Sequence, residues 1–197
     1  KSPNISATFA QDATDAKDLF IVNNWGPDAI DLEAVSADSN PLSITGVNNP
    51  RTFTVEEIRA MPQTEFTAFQ NCATNGEGGA LMEKIPMKGV PLSYLVEQCG
   101  GLVEGTNAMN ASGNDGWAAF PPMDMALDLM YEDCYVVTQY YGQNLTVDQG
   151  APLVLVPCGM PGAQWVKHLG TIDFKVADQS WMARLTLPPR RLPRRST

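Results

Sequence analysis

Polar and apolar positions alternate along this chain in short blocks whose period changes too often for long helices. Glu65-Phe66-Thr67-Ala68-Phe69-Gln70 repeats every second residue, the period of a strand with one buried face. Before it, Thr54-Val55-Glu56-Glu57 has the form of a capping box. The threonine oxygen and the Glu57 carboxylate stand where they satisfy the first free amides of a helix, which Pro62 limits to about two turns. Pro91 opens a second helix, at a position where its missing amide proton costs nothing, and Gly100-Gly101 closes it after Cys99. Further on, Cys134-Tyr135-Val136-Val137-Thr138-Gln139-Tyr140-Tyr141 is β-branched and aromatic. Gly142-Gln143-Asn144 turns it towards Leu145-Thr146-Val147, which predicts a hairpin. Pro152 to Val156 reads as a short apolar strand, and Trp165 to Phe174 contains another whose alternation is clearest from Thr171. Short strands between short helices predict an α+β fold, not a doubly wound nucleotide fold. The chain carries neither an internal repeat nor a dinucleotide glycine motif.

The candidate chemistry centres on Cys72. In Phe69-Gln70-Asn71-Cys72-Ala73-Thr74-Asn75-Gly76-Glu77-Gly78-Gly79, a strand-like run delivers a thiol into a loop small enough for a bulky ligand to approach the sulfur. Downstream come Lys88-Gly89-Val90-Pro91-Leu92-Ser93-Tyr94-Leu95, Asp115-Gly116-Trp117, Gly150-Ala151-Pro152-Leu153-Val154-Leu155-Val156-Pro157 and Gly162-Ala163-Gln164-Trp165-Val166-Lys167-His168-Leu169. In order and spacing this series resembles the molybdopterin-binding catalytic domain of the sulfite oxidase family. The resemblance covers residues 18 to 175.

It implies a mixed-sheet molybdopterin-binding fold in a single domain over 18–176, after an extended segment 1–17 and before a basic, Pro/Arg-rich tail 177–197. It also implies a molybdenum–molybdopterin cofactor with the Cys72 thiolate as metal ligand, a soft donor suited to such a metal. Leu19-Phe20-Ile21-Val22-Asn23-Asn24-Trp25-Gly26-Pro27 resembles the family's first motif, whose arginine-asparagine-histidine turn holds pterin and substrate. By that resemblance Asn23, Asn24 and Trp25 surround the pterin, with Asn23 in the arginine position and Trp25 in the histidine position. Thr74, Gly162, Gln164 and Lys167 are further implied cofactor contacts. Lys167 would meet a phosphate as a point charge, while Gln164 stands in a basic position and His168 in a usual tryptophan position. Trp117 falls where the family has a tyrosine whose hydroxyl reaches the metal, so it is the residue expected to face substrate.

These departures change the expected substrate. Sulfite needs arginines, because a small dianion leaving water requires bidentate charged donors. The family's arginine positions here read Asn23 and Glu77. The expected activity is therefore two-electron oxygen-atom transfer on something other than sulfite, such as a sulfoxide or N-oxide stacked on Trp117, which offers one indole donor. The alternative is a cofactor-free relative acting as a binding or accessory subunit. Trp117 also reads as a core aromatic, and Lys167 as an edge-strand lysine. With no Cys-x-x-Cys-His site or iron–sulfur cysteine run, electrons would pass through a partner such as a cytochrome or membrane subunit.

Composition narrows the field. Formal charge is −9 even though Arg190, Arg191, Arg194 and Arg195 crowd the tail, so the body is more acidic still and nucleic-acid binding is not expected. No apolar run approaches the ~20 residues of a membrane helix. The Ser-, Ala-, Asp- and Thr-rich stretch Ser2 to Asp18 resembles the start of a mature exported protein. Of the four cysteines, Cys99 and Cys134 read as small buried hydrophobes; Cys134 can pair with Cys158, or all four can be free. His168, the only histidine, rules out a polyhistidine zinc site and leaves a Cys72–His168 nucleophilic pair formally open. Asp28, Asp31, Glu33, Asp124 and Asp128 read as a solvated acidic face.

Overall fold

The computed structural model describes residues 13–22, 30–76, 79–119 and 133–176, and the backbone of 125–126. Asn23, Asn24, Trp25, Asp28, Glu77, Asp124, Asp128 and the tail 177–197 lie outside the described residues.

Among the described residues, three short α-helices, α1 (Leu32–Val35), α2 (Val55–Ala60) and α3 (Leu92–Gln98), accompany ten strands. The predicted capping box forms at the start of α2. Glu57 N donates to Thr54 Oγ1 at 3.1 Å, and Thr54 N donates to Glu57 Oε2 at 2.8 Å. Pro91 is the residue capping α3, and Gly101 N closes back onto Val96 O at 2.9 Å. Asp31, expected on a solvated face, caps α1 by accepting from Ala34 N.

The strands make two five-stranded sheets. In the first, β2 (Arg51–Phe53), β1 (Leu42–Thr45), β10 (Leu169–Lys175), β5 (Ala108–Gly113) and β6 (Met125–Ala126) lie side by side, and β1 runs parallel to β10. The second orders β3 (Thr64–Asn71), β4 (Met82–Pro91), β7 (Cys134–Tyr140) and β8 (Gln143–Asn144), with β9 (Val154–Pro157) also on β7. The sheets and three short helices give the α+β class that the alternating blocks predict.

Two differences from the sequence reading matter. The stretch between the cysteine loop and Pro91 is the ten-residue strand β4, antiparallel to β3 over its whole length. Its inward residues Ile85 and Met87 alternate with Lys84, Pro86 and Lys88, so lysines and a proline conceal a strand whose buried face is complete. The return arm of the hairpin after β7 is only Gln143–Asn144. Beyond it, Thr146 and Gln149 exchange side-chain-to-backbone bonds of 2.9 and 3.3 Å, which close a turn where a ladder was expected.

Two cores result. The first joins β1, β2, β5 and β10 to α2 and α3 through Leu42, Ile44, Phe53, Ile58, Leu95 and Phe174. The second, under β4, β7 and β9, is built from Ile85, Met87, Val137, Tyr140, Val154 and Trp165. All four cysteines are free thiols, with Cys99 and Cys134 buried in the first core as their apolar surroundings suggest. No helix among the described residues is long and apolar enough to cross a membrane.

Candidate functional site

Pairing of β3 with β4 sets the site. Residues directly opposite each other in an antiparallel pair share a face. On the inward face Phe66 meets Met87, Ala68 meets Ile85, and Gln70 meets Glu83. The ladder continues one step past β3, where Cys72 N donates to Leu81 O at 3.1 Å. One inward row thus runs from packed apolar side chains to Gln70, Glu83 and then Cys72. At the polar end of that row opens a cavity of about 470 Å³, lined by Cys72, Thr74, Glu83, Trp117, Tyr140 and Lys167 among others.

Cys72 is half-buried, and its Sγ lies 3.2 Å from Thr74 Oγ1. Gly162, from the one-turn 3-10 helix Gly162–Gln164, joins the same wall. A Cβ on Gly162 would sit 3.2 Å from Gln70 Nε2 and 3.3 Å from Asn71 O, so the missing side chain lets this turn close against the strand that delivers Cys72. Gln164 is buried in that turn but is not among the residues lining the cavity.

Opposite, the turn at Lys167 and His168 is held from several sides. His168 is in the left-handed region at φ 51, fixed by His168 N donating to Gly150 O at 3.0 Å and by Asn114 N donating to His168 O at 2.8 Å. A carbonyl only accepts, so the 2.7 Å approach of His168 Nδ1 to Ala151 O puts the proton on Nδ1, with Ser36 Oγ 3.2 Å away. The Lys167 stem crosses Gly150, where a Cβ would come within 2.6 Å of Lys167 Cγ, and its Nζ donates to Asp148 O at 2.6 Å. Gly150 has φ +102, a backbone conformation that only glycine adopts without strain. Trp117 combines both of its sequence readings, since it packs against the first core and also lines the cavity. Its amide donates to Asp115 Oδ1 at 3.0 Å.

Leu19 to Val22, the described start of the first expected motif, line the cavity, and Thr14 ahead of them is tied to β4 and Tyr141. Thr14 N donates to Lys84 O, Lys84 N to Thr14 Oγ1, and the Tyr141 hydroxyl to Thr14 O. These bonds lay Leu19 to Val22 along the wall, and Phe20 N donates to Glu83 Oε2 at 2.9 Å.

Burial governs the electrostatics. It pushes the Glu83 carboxyl up to about 7, against the smaller opposing pulls of the Phe20 amide and Lys167. Burial lowers the Lys167 ammonium, with Asp148, Glu83 and Asp115 pulling it back. The Tyr140 hydroxyl is raised by burial and then by Glu83, so it stays protonated.

Of the residues singled out by sequence, the fold brings Cys72, Thr74, Trp117, Gly162, Lys167 and His168 to one cavity. Glu83 and Tyr140 were not singled out. The available signal was the phase of β4, in which Glu83 is in step with Ile85 and Met87.

A family model for the oxidoreductase molybdopterin binding domain matches residues 29–182. A nitrate reductase (NADH) of Phaseolus vulgaris is 26% identical over 180 residues, covering 78% of this chain and 20% of that protein. A nitrate reductase (NADH) of Brassica napus is 30% identical over 157 residues, covering 66% and 17%. Among solved structures, the sulfane dehydrogenase SoxCD of Paracoccus pantotrophus matches with a TM-score of 0.66 and 25% identity, covering 76% of this chain and 40% of that one. The chain spans 20% or less of these two plant relatives.

Proposed function

The chain belongs to the oxidoreductase molybdopterin-binding domain family, and we propose that its cavity holds a molybdenum–molybdopterin group with Cys72 as the metal's protein ligand. Oxygen-atom transfer on an uncharged substrate, a sulfoxide or N-oxide, is the activity we infer. The observation that carries this reading is convergence: Cys72, Thr74, Trp117, Gly162 and Lys167, far apart in sequence, line one cavity.

The residues present fit such a group in two respects. The cavity, about 470 Å³, falls within the ~300–1,000 Å³ usual for small-molecule sites. Its described wall has one soft donor, Cys72, and a lysine, Lys167, for an anionic end. Thr74 would orient the sulfur, Gly162 would keep its turn against β3, and Lys167 would meet the pterin phosphate. When bound, the group supplies a two-electron centre for moving an oxygen atom.

Substrate charge is argued from the wall. Glu83, Asp115 and Asp148 line it, Lys167 is its only described lysine or arginine, and Lys167 Nζ already donates to Asp148 O. An oxyanion would leave water without the bidentate donors that repay that loss. A neutral oxide has no such requirement, and Trp117 and Trp165 offer it aromatic surface. Removing the oxygen from such an oxide takes two electrons and two protons, so electrons would arrive from a carrier outside this domain, either on the rest of a longer polypeptide or on a separate cytochrome-like or membrane-bound subunit.

The same charge balance favours a second reading, a cofactor-free relative that binds a ligand or serves as an accessory subunit. The two separate by molybdenum analysis of protein made in a host that synthesises the pterin, comparing wild type with Cys72→Ser. Near-stoichiometric metal that disappears in the variant is the expected result. No metal in either protein, while a related control enzyme loads, would establish the cofactor-free reading instead.

A further inference from the structure

Glu83 is the acidic group on the cavity wall that a metal ligand and a phosphate contact leave without a task. We propose that Glu83 selects the substrate, its carboxylic acid donating a hydrogen bond to the oxide oxygen of an uncharged sulfoxide or N-oxide. This deepens the oxygen-transfer reading above and rests on it.

The geometry comes first. Glu83 occupies the inward row of β4, where Ile85 and Met87 follow in phase, and is 4% exposed. It stands across from Gln70 on the face that Cys72 continues, so the carboxyl and the thiol share one wall. Phe20 N donates to Oε2, which fixes the carboxyl plane and occupies one oxygen as acceptor. Oε1 takes no hydrogen bond from the described residues, and no lysine or arginine among them forms an ion pair with Glu83. A buried carboxyl without a paired cation holds its proton to a higher pH than an exposed one, and a carboxylic acid is a donor where a carboxylate is only an acceptor.

An oxide oxygen is itself an acceptor, so the interaction exists in one charge state of Glu83 only. With the carboxyl pushed up to about 7, the donor is present below that pH and is replaced above it by an acceptor facing an acceptor. The protonated fraction, and with it the affinity, then falls about tenfold between pH 6 and pH 8. The other groups that bear on Glu83 are Tyr140 from β7, Tyr141 just beyond it, and Lys167 from the opposite turn. Asp115, Asp148, Cys72 and His168 share the wall. A sulfite or nitrate ion would meet the ionised carboxylate at neutral pH and above and be repelled, which makes the same residue a filter against anions.

The test is a ligand-observed NMR titration of trimethylamine N-oxide, dimethyl sulfoxide and sulfite into the purified protein at pH 6 and pH 8, with molybdenum measured on each sample. Glu83→Gln keeps the shape and a donor at every pH; Glu83→Leu removes the donor, and thermal melting checks that each variant folds. Wild type is expected to bind at least one oxide at pH 6 and to weaken about tenfold at pH 8. E83Q is expected to bind equally at both pH values, and E83L at least tenfold more weakly than wild type at pH 6. Oxide binding by wild type that ignores pH, a pH dependence that persists in E83Q, no oxide binding at pH 6, or tighter binding of sulfite would each overturn the proposal. Metal content separates its failure from that of the parent reading. Molybdenum-loaded protein indifferent to Glu83 removes this inference alone, whereas oxide binding through Glu83 in protein that takes up no molybdenum removes the oxygen-transfer reading.

Discussion

The two cores are built from similar sheets and differ in how their inward rows end. In the first, Leu42 and Ile44 of β1 and Phe53 of β2 are apolar and fully buried, Arg51 at the start of β2 stays exposed and pairs with Glu57, and α2 closes over the core with Val55 and Ile58. In the second, the row on β3 and β4 starts with Phe66, Ala68, Ile85 and Met87 and then changes to Gln70, Glu83 and Cys72 where the sheet meets the cavity. The first region therefore holds the fold, and the second gives up apolar burial to expose chemistry. Perturbations in the first should appear as lost stability, and perturbations at the polar end of the second as altered binding with stability kept or gained.

The largest effect belongs to Phe53, fully buried and among the largest side chains of the first core. Phe53→Ala should cost about 3–5 kcal/mol in urea unfolding, from lost transfer energy and the cavity left behind. A loss below ~1 kcal/mol, the level of a tolerated surface change, would mean this core is loosely packed and the contrast with the second region is false.

Glu83→Gln should act in the other direction. Burial raises the folded-state value of Glu83 from its ordinary 4.5 to about 7, so between those pH values the folded protein holds a proton that the unfolded chain has released. Stability falls as pH rises through that window and is level beyond it. Removing the titration should stabilise the protein at pH 8 by about 1–2 kcal/mol, a figure discounted for the water the cavity admits, with no gain below pH ~4.5. Chemical denaturation across this range decides it: an E83Q protein less stable than wild type at pH 8 would make Glu83 an ordinary structural carboxylate.

Thr54→Ala returns to the first region with a smaller effect. It removes the acceptor for Glu57 N and leaves the reciprocal bond from Thr54 N to Glu57 without its partner. The expected loss is about 1 kcal/mol, read as a shift of the urea midpoint at unchanged slope.

How much of this could be read from the chain follows the same division. The α2 box was legible because its two bonds join residues three apart, and Pro91 and Gly100 marked the ends of α3 for equally local reasons. The buried, β-branched runs of β7 and β9 were legible from composition. β4 was not, because its outward lysines, Pro86 and Gly89 look like loop until β3 pairs with it and shows which face is buried. At the site, the order and spacing of segments pointed to Cys72, Trp117 and Lys167, and the fold brings all three to one cavity. Glu83 escaped notice because a carboxylate becomes unusual only when buried, and its burial depends on a segment more than sixty residues upstream, through Phe20. The Lys167 turn likewise needs Gly150, Ala151 and Asn114, none of them a neighbour in sequence.

Cys72→Ser should have the smallest effect on stability and thereby mark the boundary between the regions most sharply. The thiol is half-buried, its contact with Thr74 Oγ1 is one that a hydroxyl can make, and the ladder bond to Leu81 O belongs to the backbone. None of the large destabilising mechanisms applies, so urea unfolding should change by no more than ~0.5 kcal/mol. Cys134, the buried first residue of β7 and part of the first core, provides the contrast. Its replacement by serine puts a hydroxyl among apolar neighbours and should cost more, ~1–3 kcal/mol, if that hydroxyl finds no partner. Equal losses at the two positions would mean that Cys72 is a packing residue and that the second core simply continues to its end. A large loss at Cys134 beside an unchanged midpoint at Cys72 would identify the row's last position as one the fold does not need, leaving the thiol to be explained by what it binds.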